Sequence, residues 1–249
     1  MTTSRDIINL RELVGSAQNM VILTGAGIST ESGVPDFRSP GGLWEKFRIV
    51  EYNEYVESED ARIEDWHRRF YMADQIGTVE PNIGHHTIAQ WLNEGKASCL
   101  VTQNVDGLHL KAGAPEERTI EIHGNATTTS CIHCKSHHEM TLCRQMFEET
   151  GASPKCRSCG GIIKADVVMF GEAMPRDKTA RAFEQSEQAD LFLAIGTSLV
   201  VHPAAALPLH AKHAGAKLAI INRDPTQVDS YADCVVNAEI GEVMRALSS

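Results

Sequence analysis

Residues 20–38 read MVILTGAGISTESGVPDFR, and the first half of that stretch decides the fold. Met20, Val21, Ile22, Leu23 and Thr24 form a run as long as a strand buried on both faces, as in a parallel sheet. Gly25, Ala26 and Gly27 follow at once. A glycine-rich turn after such a strand lets backbone N–H groups approach a phosphate, and the dipole of a following helix adds favourable charge. An ordinary tight strand–helix turn looks the same, and Thr30 stands where the usual dinucleotide fingerprint has its third glycine. Behind Pro35, the side chains of Asp36, Phe37 and Arg38 suit a ligand clamp or a plain surface loop.

Outward from this stretch, buried-strand patterns recur at 98–102 (SCLVT), 118–122 (RTIEI), 162–170, 189–195 (ADLFLAI), 217–221 (KLAII) and 233–236. Helical periodicity fills 4–16, 62–76, 81–93, 175–188, 202–213 and 240–247. The alternation predicts an α/β fold, a doubly wound parallel, Rossmann-like sheet with right-handed crossovers. Ligands collect beyond the C-terminal strand ends of such sheets. There stand Gln103, Asn104 and Asp106 after one strand, His123 after the next, and Gly196, Thr197 and Ser198 after a third. Helix capping by Asn104 or Asp106, and a structural role for His123, are the plainer readings of those residues. Residues 39–60, with Pro40, Gly41 and Gly42, suit a flexible lid with short helices or an ordinary surface connection.

Cys131, Cys134, Cys156 and Cys159 form two Cys-x-x-Cys pairs. Four thiolates so spaced meet the tetrahedral demand of a structural zinc and leave no coordination position for a catalytic water. The domain division is then 1–38, 80–125 and 165–249 for the sheet, 39–79 for a loop and helical module, and 126–164 for an inserted zinc ribbon.

The chain has 249 residues, a net charge of −10 and 42% hydrophobic residues. That is ordinary for a soluble globular protein. The acidic balance argues against stable nucleic-acid or anionic-membrane binding, which need a basic face. There is no apolar run of about 20 residues to span a membrane. The N-terminal stretch has no signal-peptide pattern, so a cytoplasmic location with reduced cysteines is expected.

Together, GAGIS (25–29), GVPDFR (33–38), TQNVDGLH (102–109), His123-Gly124, the two Cys pairs, DVVMFGE (166–172), GTSLVVHPAA (196–205) and Asn222 resemble the sirtuin family of NAD-dependent protein lysine deacylases, in a prokaryotic form. The resemblance runs from about residue 7 to 247. It implies NAD as co-substrate, with Gly25, Ala26, Gly196, Thr197 and Ser198 around its phosphates, Gln103 and Asn222 at its riboses and Cys234 near its adenine. It puts Ile28, Asp36, Phe37, Asn104 and Asp106 around nicotinamide, and adds Gly27 and Arg38 to the cofactor set. Acyl-lysine would lie beside Phe170 and Gly171, with Val168 offering a backbone carbonyl. The acyl oxygen would attack the anomeric carbon as nicotinamide leaves, with His123 as general base and Asn104 as its catalytic companion. The products would be free lysine, nicotinamide and O-acyl-ADP-ribose.

Two departures from the family pattern stand out. Ala165 replaces a common Pro. The Tyr-x-x-Arg pair of members that take succinyl or malonyl groups is missing from Trp66-His67-Arg68-Arg69-Phe70-Tyr71, which favours uncharged acyl groups and acetyl first, although Arg68 or Arg69 would suit an acidic chain. Partners are then acyl-lysine proteins, with a monomer expected. Desuccinylation, long-chain deacylation and mono-ADP-ribosyl transfer are alternatives on the same NAD site; a zinc-ribbon nucleic-acid binder is the non-enzymatic one.

Overall fold

The computed structural model describes residues 4–34 and 46–248. Six parallel strands form the main sheet: β1 (Met20–Thr24), β2 (Ala97–Thr102), β3 (Thr119–Glu121), β7 (Leu191–Ile195), β8 (Lys217–Ile221) and β9 (Cys234–Val236), in the order β3-β2-β1-β7-β8-β9. The chain winds outward from β1 through β2 to β3, then returns beside β1 and winds the other way. The crevice between the ends of β1 and β7 is therefore the topological switch point.

Alternation along each strand explains the two apolar layers. Met20 and Ile22 face a core filled by Leu10 and Val14 of α1 (Ser4–Ser16), Ile88 and Leu92 of α4 (Ile83–Asn93), and Val243 and Met244 of α9 (Ile240–Ser248). Val21 and Leu23 face the opposite core, with Ala182 of α7 (Arg176–Gln188) and Leu207 and Ala211 of α8 (Leu207–His213). Each fully buried aliphatic side chain contributes about 1.5–3 kcal/mol.

A second, antiparallel sheet runs β5 (His137–His138), β4 (Gly124–Cys131), β6 (Ile163–Val167). Here the structure corrects the strand expected over 162–170. It stops at Val167 and pairs with β4, outside the parallel sheet. The β4 pairing uses both Thr129 opposite Ala165 and Cys131 opposite Ile163, so the metal ribbon's own backbone claims this strand. The helix α3 (Glu59–Gly77) seats Trp66 and Phe70 against Cys131, Cys143, Cys156 and Phe147, the last from α6 (Met140–Thr150). The shorter α2 (Tyr52–Glu57) buries Tyr55, whose hydroxyl donates to the Ile163 carbonyl at 2.7 Å.

Two further expectations change. The glycine turn enters a 3-10 helix, Ala26–Ser32, rather than an α-helix, because its backbone must press against Gly196. The helix expected over 202–213 begins only at Leu207, after a 3-10 turn at Ala204–Ala206; Pro203 and Pro208 lack the N–H groups that a longer helix needs. Residues 35–45, including Asp36, Phe37 and Arg38 and the first part of the expected lid (39–45), lie outside the described residues. In the described part of that segment, Arg48 joins Glu54 and Glu64 at 2.8 and 2.7 Å. Among the described residues no helix is long and apolar enough to cross a membrane.

Candidate active site

At the switch point the backbones of two loops meet without intervening side chains. The Gly27 amide donates to the Gly196 carbonyl at 2.9 Å. A Cβ on Gly25 would stand 2.7 Å from the Thr197 Cβ, and one on Gly27 2.8 Å from the Gly196 oxygen. Glycine at those positions is thus a steric requirement, and it leaves a cradle where a phosphate meets backbone rather than side chains. Gln103 Nε2 donates to Thr197 Oγ1 at 2.8 Å and ties the loop after β2 to the loop after β7. Ser198 is exposed beside them. This fits the diphosphate of a dinucleotide.

Asn104 and Asp106 are 5% and 7% exposed, so their polar atoms need partners. Ser29 supplies them. Its hydroxyl donates to Asp106 Oδ2 at 2.7 Å and accepts from Asn104 Nδ2 at 3.1 Å. His85 Nε2 lies 3.3 Å from the same oxygen. The His85 Nδ1 accepts the Asn82 amide at 3.2 Å as part of the α4 capping box. A neutral His85 therefore carries its proton on Nε2 and donates it to Ser29. Burial pushes the His85 pKa down to about 4, so the ring is neutral near pH 7. The Leu108 amide holds Asp106 Oδ1 at 3.0 Å, while burial raises the Asp106 pKa. Behind this group His109 packs on His85 with ring centroids 4.8 Å apart and meets Thr24 Oγ1 at 3.0 Å.

His123 follows β3, with Nδ1 3.1 Å from the Gln103 carbonyl oxygen. A carbonyl only accepts, so Nδ1 carries the ring proton and Nε2 is the free basic nitrogen. Burial lowers the His123 pKa, although the hydrogen bond to Gln103 partly opposes it. The Val168 amide donates to the His123 carbonyl at 2.9 Å, which fixes residues 168–171 beside the ring. Phe170 there is 48% exposed and lines the cavity of the site. A cavity of about 310 Å³ runs from Gly25 and Ala26 past Gln103, Asn104 and His123 to Val168, Phe170 and Gly171.

The remaining expected residues are placed differently. Ile28 is 1% exposed and packs its side chain in the core against Gly84. Asn222, after β8, turns its amide to the Asp224 carbonyl at 2.7 Å. Cys234 buries its thiol, 3.6 Å from the Asp6 carbonyl. The sequence shows Ser29 and His109 only as members of the motifs at 25–29 and 102–109, with no role of their own, and the pair His85-His86 reads as packing and hydrogen-bonding rather than as part of a site. A serine two residues past the glycine turn is a visible signal, but nothing in the spacing shows that it meets a histidine 56 residues on.

The four cysteines of the two pairs bring their Sγ atoms within 4.8 Å of one another. Cys131 and Cys159 lie 3.5 Å apart, as do Cys134 and Cys156. Thiolates at zinc–sulfur bond length in a tetrahedron stand about 3.8 Å apart, so the donor set fits one structural zinc. Ser136 Oγ lies 3.1 Å from Cys134 Sγ and 3.2 Å from Cys156 Sγ, a hydroxyl placed to favour thiolate. A Cβ on Gly161 would crowd Cys131 and Cys159 at 3.1 Å, so the turn after the second pair needs glycine.

Comparison with known proteins agrees with this geometry. The Sir2 family model matches residues 25–203. A protein of Rhodopseudomonas palustris named NAD-dependent protein deacetylase is 45% identical over 97% of this chain and 95% of its own length. One of Bradyrhizobium diazoefficiens, NAD-dependent protein deacetylase 1, is 43% identical over 94% and 92%. The solved structure of Sir2 bound to acetylated peptide superposes with a TM-score of 0.87 at 30% identity, covering 96% of this chain and 95% of that one. Another, of Sir2 with p53 peptide and NAD+, gives 0.86 at 32% identity, with 95% coverage of both. With its glycine cradle, its His123 cavity and its four-cysteine ribbon, this chain belongs to the Sir2 family, the sirtuins.

Proposed function

We propose that this chain removes acetyl groups from protein lysines and consumes NAD in doing so. The observation that carries the proposal is one cavity lined by Gly25 and Ala26 of the glycine turn, by His123 with its free Nε2, and by the strip at 168–171. The relatives named deacetylases and the Sir2 structure with acetylated peptide support it.

In this account Gly25, Ala26, Gly27, Gly196, Thr197 and Ser198 hold the diphosphate. Gln103 and Asn222 take the riboses, and Cys234 marks the adenine end. Asn104 and Asp106, held by Ser29, face nicotinamide, with Ile28 behind them. Asp36, Phe37 and Arg38, outside the described residues, keep the same assignment. Phe170 and Gly171 flank the lysine stem, and the Val168 carbonyl receives its amide N–H. Bound NAD supplies the anomeric carbon that receives the acyl oxygen. The acyl oxygen is a weak nucleophile, so holding it close and in line supplies much of the rate. His123 accepts a ribose hydroxyl proton at Nε2, and the Gln103 carbonyl, which accepts the Nδ1–H, stabilises the resulting imidazolium.

The zinc ribbon is structural, since four thiolates fill the coordination sphere. The same account keeps 1–38, 80–125 and 165–249 for NAD, 126–164 for zinc and 39–79 for the module between them. It places a monomer in the cytoplasm, where thiolates stay reduced and free to bind metal.

The test is the purified protein with an acetyl-lysine peptide, with and without NAD, read by mass spectrometry. NAD-dependent loss of acetyl with O-acetyl-ADP-ribose appearing is the expected result. ADP-ribose gained by protein or peptide without deacetylation would replace the proposal with ADP-ribosyl transfer.

A further inference from the structure

The cavity has a charged wall that the reaction itself does not use. Arg68 and Arg69 line it, and both come from α3. Asp65, one turn earlier and 1% exposed, receives both guanidiniums: Arg68 Nη2 on Oδ1, and Arg69 Nε on Oδ2 at 3.1 Å. It is the only carboxylate bonded to either of them among the described residues. Asp65 itself stands behind the wall; the acid that lines it, Glu172, is already engaged with Lys164 at 3.1 Å. Arg68 Nε is buried and has no hydrogen-bond partner among the described residues.

We infer that Asp65 is a specificity-determining residue: by occupying Arg68 and Arg69 it reserves the acyl end of the cavity for uncharged chains. The inference rests on the deacetylase proposal above. Without Asp65, two guanidiniums with fixed N–H donors would make a carboxylate receptor. With Asp65 in place, an acyl chain ending in a carboxylate must surrender its hydration and share the same two cations with a fixed, buried carboxylate. Two carboxylates on one site repel each other strongly at low dielectric. A methyl-terminated chain meets neither penalty.

Butyryl and succinyl groups make the comparison clean. They have the same chain length, and a terminal methyl in one is a carboxylate in the other. Rates on butyryl-lysine and succinyl-lysine versions of one peptide would be measured at saturating NAD, for the wild type and for Asp65→Asn and Asp65→Glu. Folding and zinc content of each variant would be checked first.

The wild type should prefer butyryl. Asp65→Asn should shift the succinyl-to-butyryl ratio of kcat/KM toward succinyl by tenfold or more, about 1.4 kcal/mol of discrimination. Asp65→Glu, which restores the carboxylate, should return the ratio most of the way. The KM for NAD should not follow these changes, because Asp65 lies outside the glycine cradle.

Equal use of both peptides by the wild type would overturn the inference without any variant, and so decides the matter even if Asp65→Asn fails to fold. A folded Asp65→Asn with an unchanged ratio would also overturn it. NAD-dependent deacetylation by the wild type is the control: its absence sinks the deacetylase proposal and this inference together, whereas a flat ratio sinks only the role of Asp65.

Discussion

His123 Nδ1 stands 3.1 Å from the Gln103 carbonyl oxygen, and this contact assigns the basic nitrogen of the site. His123→Ala should lower turnover by about 10²–10⁴-fold, the usual worth of a general base. NAD binding, measured by calorimetry, should change little. The working form is the neutral ring, and burial lowers its pKa. The acid limb of kcat/KM should therefore lie below the ordinary histidine value of about 6.5. A limb above that value would mean that another group titrates.

Ser29 is the junction of three side chains. Ser29→Ala would leave Asp106 Oδ2 and the Asn104 amide without their partner in a buried site. An unsatisfied buried polar group costs about 1–3 kcal/mol. The loss should appear in urea unfolding and as a raised KM for NAD. Unchanged values of both would show that water replaces the hydroxyl at no cost.

His85 links pH to stability. Its ring is neutral when folded, with a pKa near 4, and has the ordinary value of about 6.5 when unfolded. Between those values the unfolded chain binds more protons. The stabilisation is complete above pH 6.5 and is withdrawn as pH falls toward 4, by up to roughly 3 kcal/mol. His109, buried against it, is also lowered and acts in the same direction. Denaturant unfolding across this range should show the slope, and His85→Gln, which cannot titrate there, should reduce it.

The metal ribbon can be tested by its ligands. Cys131→Ser removes one thiolate of four, from a residue that also packs against Trp66 and Phe147. Zinc should be lost. Stability should fall by about 3 kcal/mol or more, on the order of 10 °C in Tm for a chain of this size. Metal analysis and thermal unfolding read the two effects separately. A metal-free variant of wild-type Tm would show that the ribbon stands without its ion.

Gly27→Ala tests the cradle. Its new Cβ would lie 2.8 Å from the Gly196 oxygen and 2.9 Å from the Gly196 Cα, so backbone rather than a flexible side chain must move. Overpacking of that kind costs about 1–3 kcal/mol. NAD affinity should fall with it, while zinc content stays whole. Wild-type affinity would mean that the loop carrying Gly196 yields freely.

Much of this architecture was legible in the residues. Runs such as Met20–Thr24 and Leu191–Ile195 are too short and too apolar for anything but buried parallel strands, and both are fully buried in the sheet centre. Cysteine spacing announced the metal ribbon because two local knuckles supply all four donors. The strand at 162–170 was misplaced because its sequence is equally apolar whether it joins the large sheet or β4; only pairing partners distinguish them. The 3-10 turn after β1 escaped because its cause, contact with Gly196, lies 169 positions away from Gly27. Ser29 and Asp65 escaped for the same reason: their importance lies in what meets them in space, and a lone serine or aspartate has no period to read.

The chain leaves the parallel sheet at Glu121 and enters the ribbon sheet at Gly124, with His123 in the short span between. The crossing is tight: Gly124 has φ +81, and a Cβ there would lie 1.9 Å from the Asp166 oxygen. His123 thus stands on the seam of two sheets, owned by neither. A metal ribbon transplanted between relatives, cut where the sheets divide, would carry the footing of this histidine along with it. Such chimaeras inherit the position of the imidazole from the donor of the ribbon, and the natural exchange point for recombining this enzyme lies outside His123 and Val168, beyond the hydrogen bond that joins them.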